Sequence, residues 1–315
     1  AWEQLAWRRS MIRNKCKFNP KKFDQEYPSD PASCFLASGN PVFDGDAVAD
    51  YKAAGRGVSP EYGTIELNRD ETRATWRPCG NDMALFWRWE QPRRGCSYLI
   101  VVDPAVGEDQ TSGEDPDRHS VLVLRRAYRD SNGLNHKARL VARVAPPCRV
   151  PIMALVEWTY RLHLHYGRAV VIPEMNNSGL AFIVAAQAKG MSIWRRQEFD
   201  PNSGKKEAKL GWKTTDNADY GGVRTLIVDG LASVLREREL DCTCPHVAHE
   251  MGTFVVREGK SQAAPGEHDD DILALAIGMY NIDQATVLAD PVVVRGLPGD
   301  MQDDDPEDAG LAMRS

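Results

Sequence analysis

The chain has 315 residues, 42% of them hydrophobic, with 39 basic and 45 acidic side chains and a formal net charge of −6. That length suffices for one large domain or two ordinary ones, and no apolar run approaches the roughly 18 residues of a membrane span. The acidic balance does not exclude nucleic acid: from residue 283 onward eight acids (Asp283, Asp290, Asp300, Asp303, Asp304, Asp305, Glu307, Asp308) face only Arg295 and Arg314, so residues 1–282 balance at 37 acidic against 37 basic.

Residues 1–80 are rich in turn formers. AWEQLAWRRSMI predicts one helix, and NPKKFDQEYPSDPASCFLASGNPVFD predicts irregular chain punctuated by Pro and Gly. Two tryptophans and scattered charges at the start do not make a signal peptide. The 7 cysteines, odd in number and spread along the chain, predict reduced thiols in a cytosolic protein. Near residue 97 the pattern becomes dense. SYLIVVD predicts a buried strand ending in Asp103, followed by the polar loop PAVGEDQTSGEDPDRH. SVLVLRRAY and KARLVARVA predict two strands joined through RDSNGLNH, whose Asn-Gly suits a hairpin. VPIMALVEWTYRLHLHYG has helical periodicity, RAVVIPE predicts a second buried strand ending in Glu174, and NNSGLAFIVAAQAKG a helix stopped by Gly190. SIWRRQEF is expected to be a strand, the segment after DNADYGG a helix, HVAHEMGTFVVRE a strand region, and DDDILALAIGMYNI the last helix. Residues 286–315, rich in Pro, Gly and Asp, are expected to be an acidic disordered tail. The order predicts an α/β protein with a mixed sheet flanked by helices.

Three acidic positions share one property. Asp103 and Glu174 each close a strand, and Asp269, Asp270 and Asp271 open a helix. Functional groups of open α/β sheets gather at the carboxyl ends of strands, and a helix N-terminus tolerates negative charge there. An aspartate at a helix start is ordinarily only a cap. Acids at three element ends in one compatible topology point further, to hard divalent cations held by carboxylates and substrate phosphate oxygens. Two such ions about 4 Å apart can serve both the attacking and the leaving oxygen of a phosphoryl displacement.

At these residues the chain resembles the nuclease half of the large terminase subunit of tailed bacteriophages, the DNA-packaging motor. The matching segments are YLIVVDPAVG, VVIPEMNNSGLAF and EHDDDILALAIG, with LGWKTTDNADYGGVRTLIVDGL and HEMGTFVVREG beside them, and KFDQEYPSDPASCFLASGNPVF upstream. The resemblance implies an RNase H-like fold over residues 81–285, preceded by an inter-domain linker from the motor half over residues 1–80. It implies a metal-dependent endonuclease that cuts double-stranded viral DNA with two Mg²⁺ or Mn²⁺ ions, in the cytoplasm of the infected host. Its partners would be the phage portal and the small terminase subunit; no membrane is involved. Asp103, Glu174 and one of Asp269 or Asp270 would bind metal, with Asp109 and Asp117 as auxiliary ligands and His268 assisting or orienting. The family's last motif reads His-Asp-Asp and then apolar residues, so Asp271 stands where an apolar residue is usual. Helical spacing aligns Asp270 with Ala274 and Ile277, which favours Asp270 as the catalytic acid and turns Asp271 away to serve the helix dipole. Rival readings are another RNase H-like nuclease, such as a Holliday-junction resolvase, and a weakly active module that docks DNA or portal.

Arg195, Arg196, Lys205, Lys206, Lys209, Lys213 and Arg224, with the pair Arg125–Arg126, form a set that could track a phosphate backbone. EGKSQ ends like a phosphate-binding loop, but Phe254 stands where its first Gly is required, so the ATP-hydrolysing half of a terminase is expected to be absent. CTCPHVAH offers Cys242, Cys244, His246 and His249, but its spacing is not that of common zinc sites.

Overall fold

The computed structural model describes residues 2–15, 23, 27, 40–105, 118–175, 178–200, 205–215 and 223–286. Its helices are α1 (Trp2–Asn14), α2 (Gly45–Ala54), α3 (Ile152–His165), α4 (Gly179–Ala188), α5 (Val223–Arg236), α6 (Pro245–Thr253) and α7 (Asp270–Thr286). Its strands are β1 (Asn40–Pro41), β2 (Glu61–Leu67), β3 (Ala74–Pro78), β4 (Phe86–Arg88), β5 (Tyr98–Asp103), β6 (Ser120–Arg125), β7 (Tyr128–Arg129) and β8 (Asn135–His136). They continue with β9 (Ala138–Val144), β10 (Val170–Pro173), β11 (Arg195–Asp200), β12 (Lys205–Leu210), β13 (Leu240–Asp241), β14 (Phe254–Arg257) and β15 (Lys260–Ala263).

The run YLIVVD forms β5 because aliphatic and β-branched residues suit a strand covered on both faces. β5 pairs antiparallel with β6, and β6 antiparallel with β9. The chain then passes through α3 and returns as β10, parallel to β5. Beyond β10, Ile193 bridges Val171 in parallel. A three-strand meander, a helix and a strand laid parallel to the first strand make the RNase H-like arrangement expected from the sequence. The full sheet has 8 strands in the order β10-β5-β6-β9-β4-β2-β3, with β13 beside β9.

Alternation along each strand splits the core in two. Leu99, Val101, Leu122, Leu124 and Ile172 face α5 and α7, packing with Ile227, Leu231, Leu275 and Ile277. Ile100, Val102, Val121, Val123 and Val171 face the other way, onto Leu155, Val156 and Phe182 of α3 and α4. Gly278 lets α7 lie directly on the sheet, since a Cβ there would stand 2.5 Å from Leu124 Cδ1 and 2.8 Å from Val101 Cγ2.

Three elements differ from their sequence expectation. HVAHEMGT is helix α6, with Pro245 in its first turn, and only FVVR that follows is strand. The strand expected at SIWRRQEF belongs mostly to a separate two-stranded ribbon of β11 and β12. The boundary expected at residue 80 runs through one sheet: β2 and β3 lie before it, β4 lies after it, and Phe43, Val48 and Tyr51 are buried in the common core. The hairpin expected at RDSNGLNH is present as β7 and β8. The tail beyond residue 286 lies outside the described residues. Among the described residues no helix is long and apolar enough to cross a membrane.

Candidate metal centre

The first two acids leave the sheet side by side. β5 and β10 are parallel neighbours with Pro173 opposite Val102, so Asp103 and Glu174 emerge together at the carboxyl edge. Glu174 N donates to Val102 O at 2.8 Å. The return chain locks the same edge: Trp212 N donates to Pro173 O at 2.8 Å, and Met175 N to Trp212 O at 2.6 Å. Gly211 makes this approach at φ +67°, and a Cβ there would sit 2.7 Å from Pro173 O. Thr214 then donates its hydroxyl to Glu174 Oε1.

The third element is α7. Leu273 N donates to Asp269 O at 2.9 Å, which closes the first helical turn on Asp269. Ile272 N donates to Glu250 Oε2 of α6 at 3.1 Å, so a carboxylate from another helix caps this one. Asp269 is held by Arg224, 3.1 Å away, and His268 Nδ1 lies 3.6 Å from Asp270 Oδ2. The charges of these aspartates are felt at Asp103. Burial first, then the Glu174 carboxylate, then Asp270 and Asp269, hold the Asp103 carboxyl well above the usual range. Burial, with Asp271 and Asp270 near it, pushes Glu250 up in the same sense.

Asp271 corrects the sequence reading. It does not point away but is buried at 4% exposure. Ser120 Oγ donates to its Oδ1 at 2.7 Å, Arg143 Nη2 donates to the same oxygen at 2.9 Å, and Arg143 Nη1 donates to its Oδ2. Burial opposes the Arg143 charge, and the Asp271 carboxylate more than restores it. The physical reason is that α7 is covered nearly all round, with Ile272, Ala274, Leu275, Ala276 and Ile277 at 0% exposure. Apolar spacing therefore does not single out one inward face. Asp271 is the anchor of this helix on β6 and β9. Sequence reasoning missed Arg143, Ser120, Thr214 and Glu250; none has a spacing signal, although Thr214 lies inside the matching segment LGWKTTDNADYGGVRTLIVDGL and Glu250 inside HEMGTFVVREG.

The donors that surround Asp103 are carboxylate oxygens, a set that suits Mg²⁺ or Mn²⁺. Glu174 Oε2 is buried and has no hydrogen-bond partner among the described residues, which leaves it open to a ligand. Among the described residues no three His, Cys, Asp or Glu side chains stand close enough to hold an ion by themselves. An ion here would complete its shell with water or substrate oxygens, which is the habit of Mg²⁺. Asp109 and Asp117 lie outside the described residues. The Cys242, Cys244, His246, His249 set does not assemble: both thiols are buried, His246 packs against Trp87, and His249 Nε2 lies 2.7 Å from Glu267.

The basic residues divide by what they touch. Arg196 is tied to Glu198 at 3.0 Å and to the carbonyls of Leu210 and Gly211, and Lys209 lies 3.4 Å from Glu198. Arg195, Lys205, Lys206 and Lys213 are exposed. Arg125 is corrected: at 2% exposure, with its Nε 3.3 Å from Glu90, it cannot reach a phosphate backbone. Its neighbour Arg126 pairs with Asp283 at 2.9 Å.

No protein-family model matches the chain, and no curated protein matches it. Among solved structures it is similar to the large terminase nuclease from thermophilic phage G20c with bound magnesium, at 16% identity and a TM-score of 0.48, over 76% of this chain and 97% of that one. The cobalt-bound form of that nuclease gives 13% identity and a TM-score of 0.47 over 76% and 97% of the two chains. The zinc-bound form gives 15% identity and 0.42 over 73% and 96%.

Proposed function

We propose that the chain is a metal-dependent endonuclease that hydrolyses phosphodiester bonds of double-stranded DNA, acting as the nuclease portion of a phage large terminase subunit. One observation carries the reading: Asp103 and Glu174 leave parallel neighbouring strands side by side, and burial, then Glu174, then the aspartates that open α7 raise the Asp103 carboxyl well above its ordinary range. A cation placed among these carboxylates would relieve their repulsion. Asp103, Glu174 and Asp270 would hold the metal, with Asp269 assisting. Divalent cations bound there supply the charge that activates a water and steadies the leaving 3′-oxygen.

The chain's own groups keep the acids in place. Thr214 fixes the rotation of the Glu174 carboxyl through Oε1 and leaves Oε2 for the ligand. Glu250 and the Arg143–Asp271 pair fix the start of α7, and so the height at which Asp270 meets the strand ends. Arg224 orients Asp269. The exposed cations of the ribbon and its base supply sequence-independent attraction to the duplex. In the full motor this reading implies the portal and the small terminase subunit as partners, in the cytoplasm of the host.

Supercoiled plasmid, incubated with Mg²⁺ and with Mn²⁺, tests it. The protein should nick and linearise the plasmid, EDTA should stop it, and Asp103→Ala should abolish it. Preferential cutting of a four-way junction over plain duplex would instead favour a resolvase. No cutting with either ion would leave the docking reading.

A further inference from the structure

Beside Glu174 lies a cleft that phosphodiester hydrolysis does not need. Trp194, Trp212 and Tyr280 line a cavity of about 620 Å³, with Arg195 and Lys213 among its other walls. Trp212 stands 6.1 Å from Trp194 and 5.5 Å from Tyr280 between ring centroids. Both indoles are buried, whereas Tyr280 is 44% exposed on α7. Trp212 Nε1 is buried without a hydrogen-bond partner among the described residues. The indole nitrogens of Trp76, Trp87 and Trp89 share this state, so the aromatic lining and the two cations, not the N–H, mark the cleft. Arg195 and Lys213 are exposed and form no ion pair among the described residues, in contrast to Arg196, which Glu198 holds.

We propose that this cleft receives one nucleobase unstacked from the DNA strand near the cut, with neighbouring phosphates on Arg195 and Lys213; the proposal rests on the nuclease reading above. Aromatic faces stack bases of any identity, which suits a protein without sequence preference. The cavity lies within the range of small-ligand pockets. Its position follows from the backbone: Trp212 is hydrogen-bonded to Pro173 and Met175 on either side of Glu174, so a base held there belongs to a nucleotide close to the phosphate that Glu174 addresses. A stacked duplex offers only its sugar–phosphate rail to such a cleft. An opened strand offers a ring.

The test uses the full chain in EDTA, so that no cutting occurs, with two labelled single strands of equal charge: decathymidylate and a decamer of abasic sites. Fluorescence anisotropy should show decathymidylate binding at least about fivefold tighter, the lower end of what base–aromatic stacking gives. Tyr280→Ala, a change at an exposed position, should remove most of that preference while leaving abasic binding unchanged, and Tyr280→Phe should restore it. Arg195→Ala combined with Lys213→Ala should weaken both strands alike. Equal binding of the two strands by the unmodified protein overturns the proposal, as does a preference untouched by Tyr280→Ala. Failure of the nuclease reading looks different: the base preference would persist while no metal supports plasmid cutting.

Discussion

At the scale of single residues, the three adjacent aspartates at the start of α7 do three different things. Asp269 closes the first turn and pairs with Arg224, Asp270 lies beside His268 and helps raise the Asp103 carboxyl, and Asp271 is sunk into a contact with Arg143 and Ser120. Substitution should separate these roles. Asp270→Asn should fold normally and lose plasmid cleavage. Asp271→Asn leaves the Arg143 guanidinium buried without its counter-charge, which costs about 3–5 kcal/mol when one partner of a buried pair is removed; urea unfolding should show it. A dead but fully stable Asp271→Asn would mean that Asp271, not Asp270, serves the metal. Asp103 gives a pH-dependent prediction. Its folded-state carboxyl is held above its ordinary value, so the folded protein binds a proton that the unfolded chain releases. That contribution is fully present below the ordinary carboxylate range near about 4 and is lost as pH rises through the folded value. Asp103→Asn should therefore raise the Tm of the metal-free protein at pH 7–8, with the gain vanishing toward pH 3. Mg²⁺ should raise the Tm of the unmodified protein and not that of the variant. A variant less stable than its parent at pH 8 would show that the acids do not repel one another.

At the scale of elements, the centre depends on how closely two segments can approach. A Cβ on Gly179 would lie 2.0 Å from Glu174 O, so the first turn of α4 rests on the backbone of the strand end that carries the acid. Gly179→Ala must push α4 and Glu174 apart. The expected cost is about 1–3 kcal/mol of stability from overpacking, and a fall in cleavage of the order of 10²-fold from a displacement near 1 Å. Thermal melts and initial rates of nicking measure the two; an unchanged rate would show that the Glu174 position is not critical. β5, β10 and α7 are legible in the sequence because each is an apolar run whose boundary is marked by an acid, and that boundary is where the candidate site lies. α6 was not, because HVAHEMGTFVV joins helix to strand without a break, and Pro245 at the first helical position was the one available signal. The Arg143–Asp271 pair spans 128 residues, and its partners meet only because α7 packs across the sheet that holds β9. No local pattern carries that information. The same holds for Thr214 on Glu174 and Glu250 on α7.

At the scale of the whole molecule, charge is divided along the chain in a way that the net value conceals. Residues 287–315 hold seven acids (Asp290, Asp300, Asp303, Asp304, Asp305, Glu307, Asp308) against Arg295 and Arg314, a balance of 2 − 7 = −5 out of the total of −6. The remaining 286 residues therefore sum to −1, with cations collected on the ribbon and its base at Arg195, Lys205, Lys206 and Lys213. A chain segment of charge −5 competes with DNA for such a surface, and repels DNA when it does not, so either way it weakens duplex binding. Removing residues 287–315 should tighten binding of a non-cleavable duplex several-fold at low salt. The effect must shrink as ionic strength rises, because the Debye length falls from roughly 30 Å at 0.01 M to roughly 8 Å at 0.15 M. Titrations of the full and shortened chains against one duplex in EDTA, across that range of salt, would give two lines that converge. Parallel lines, offset equally at every salt concentration, would show that the segment acts through specific contacts with the body or the DNA and not through its charge.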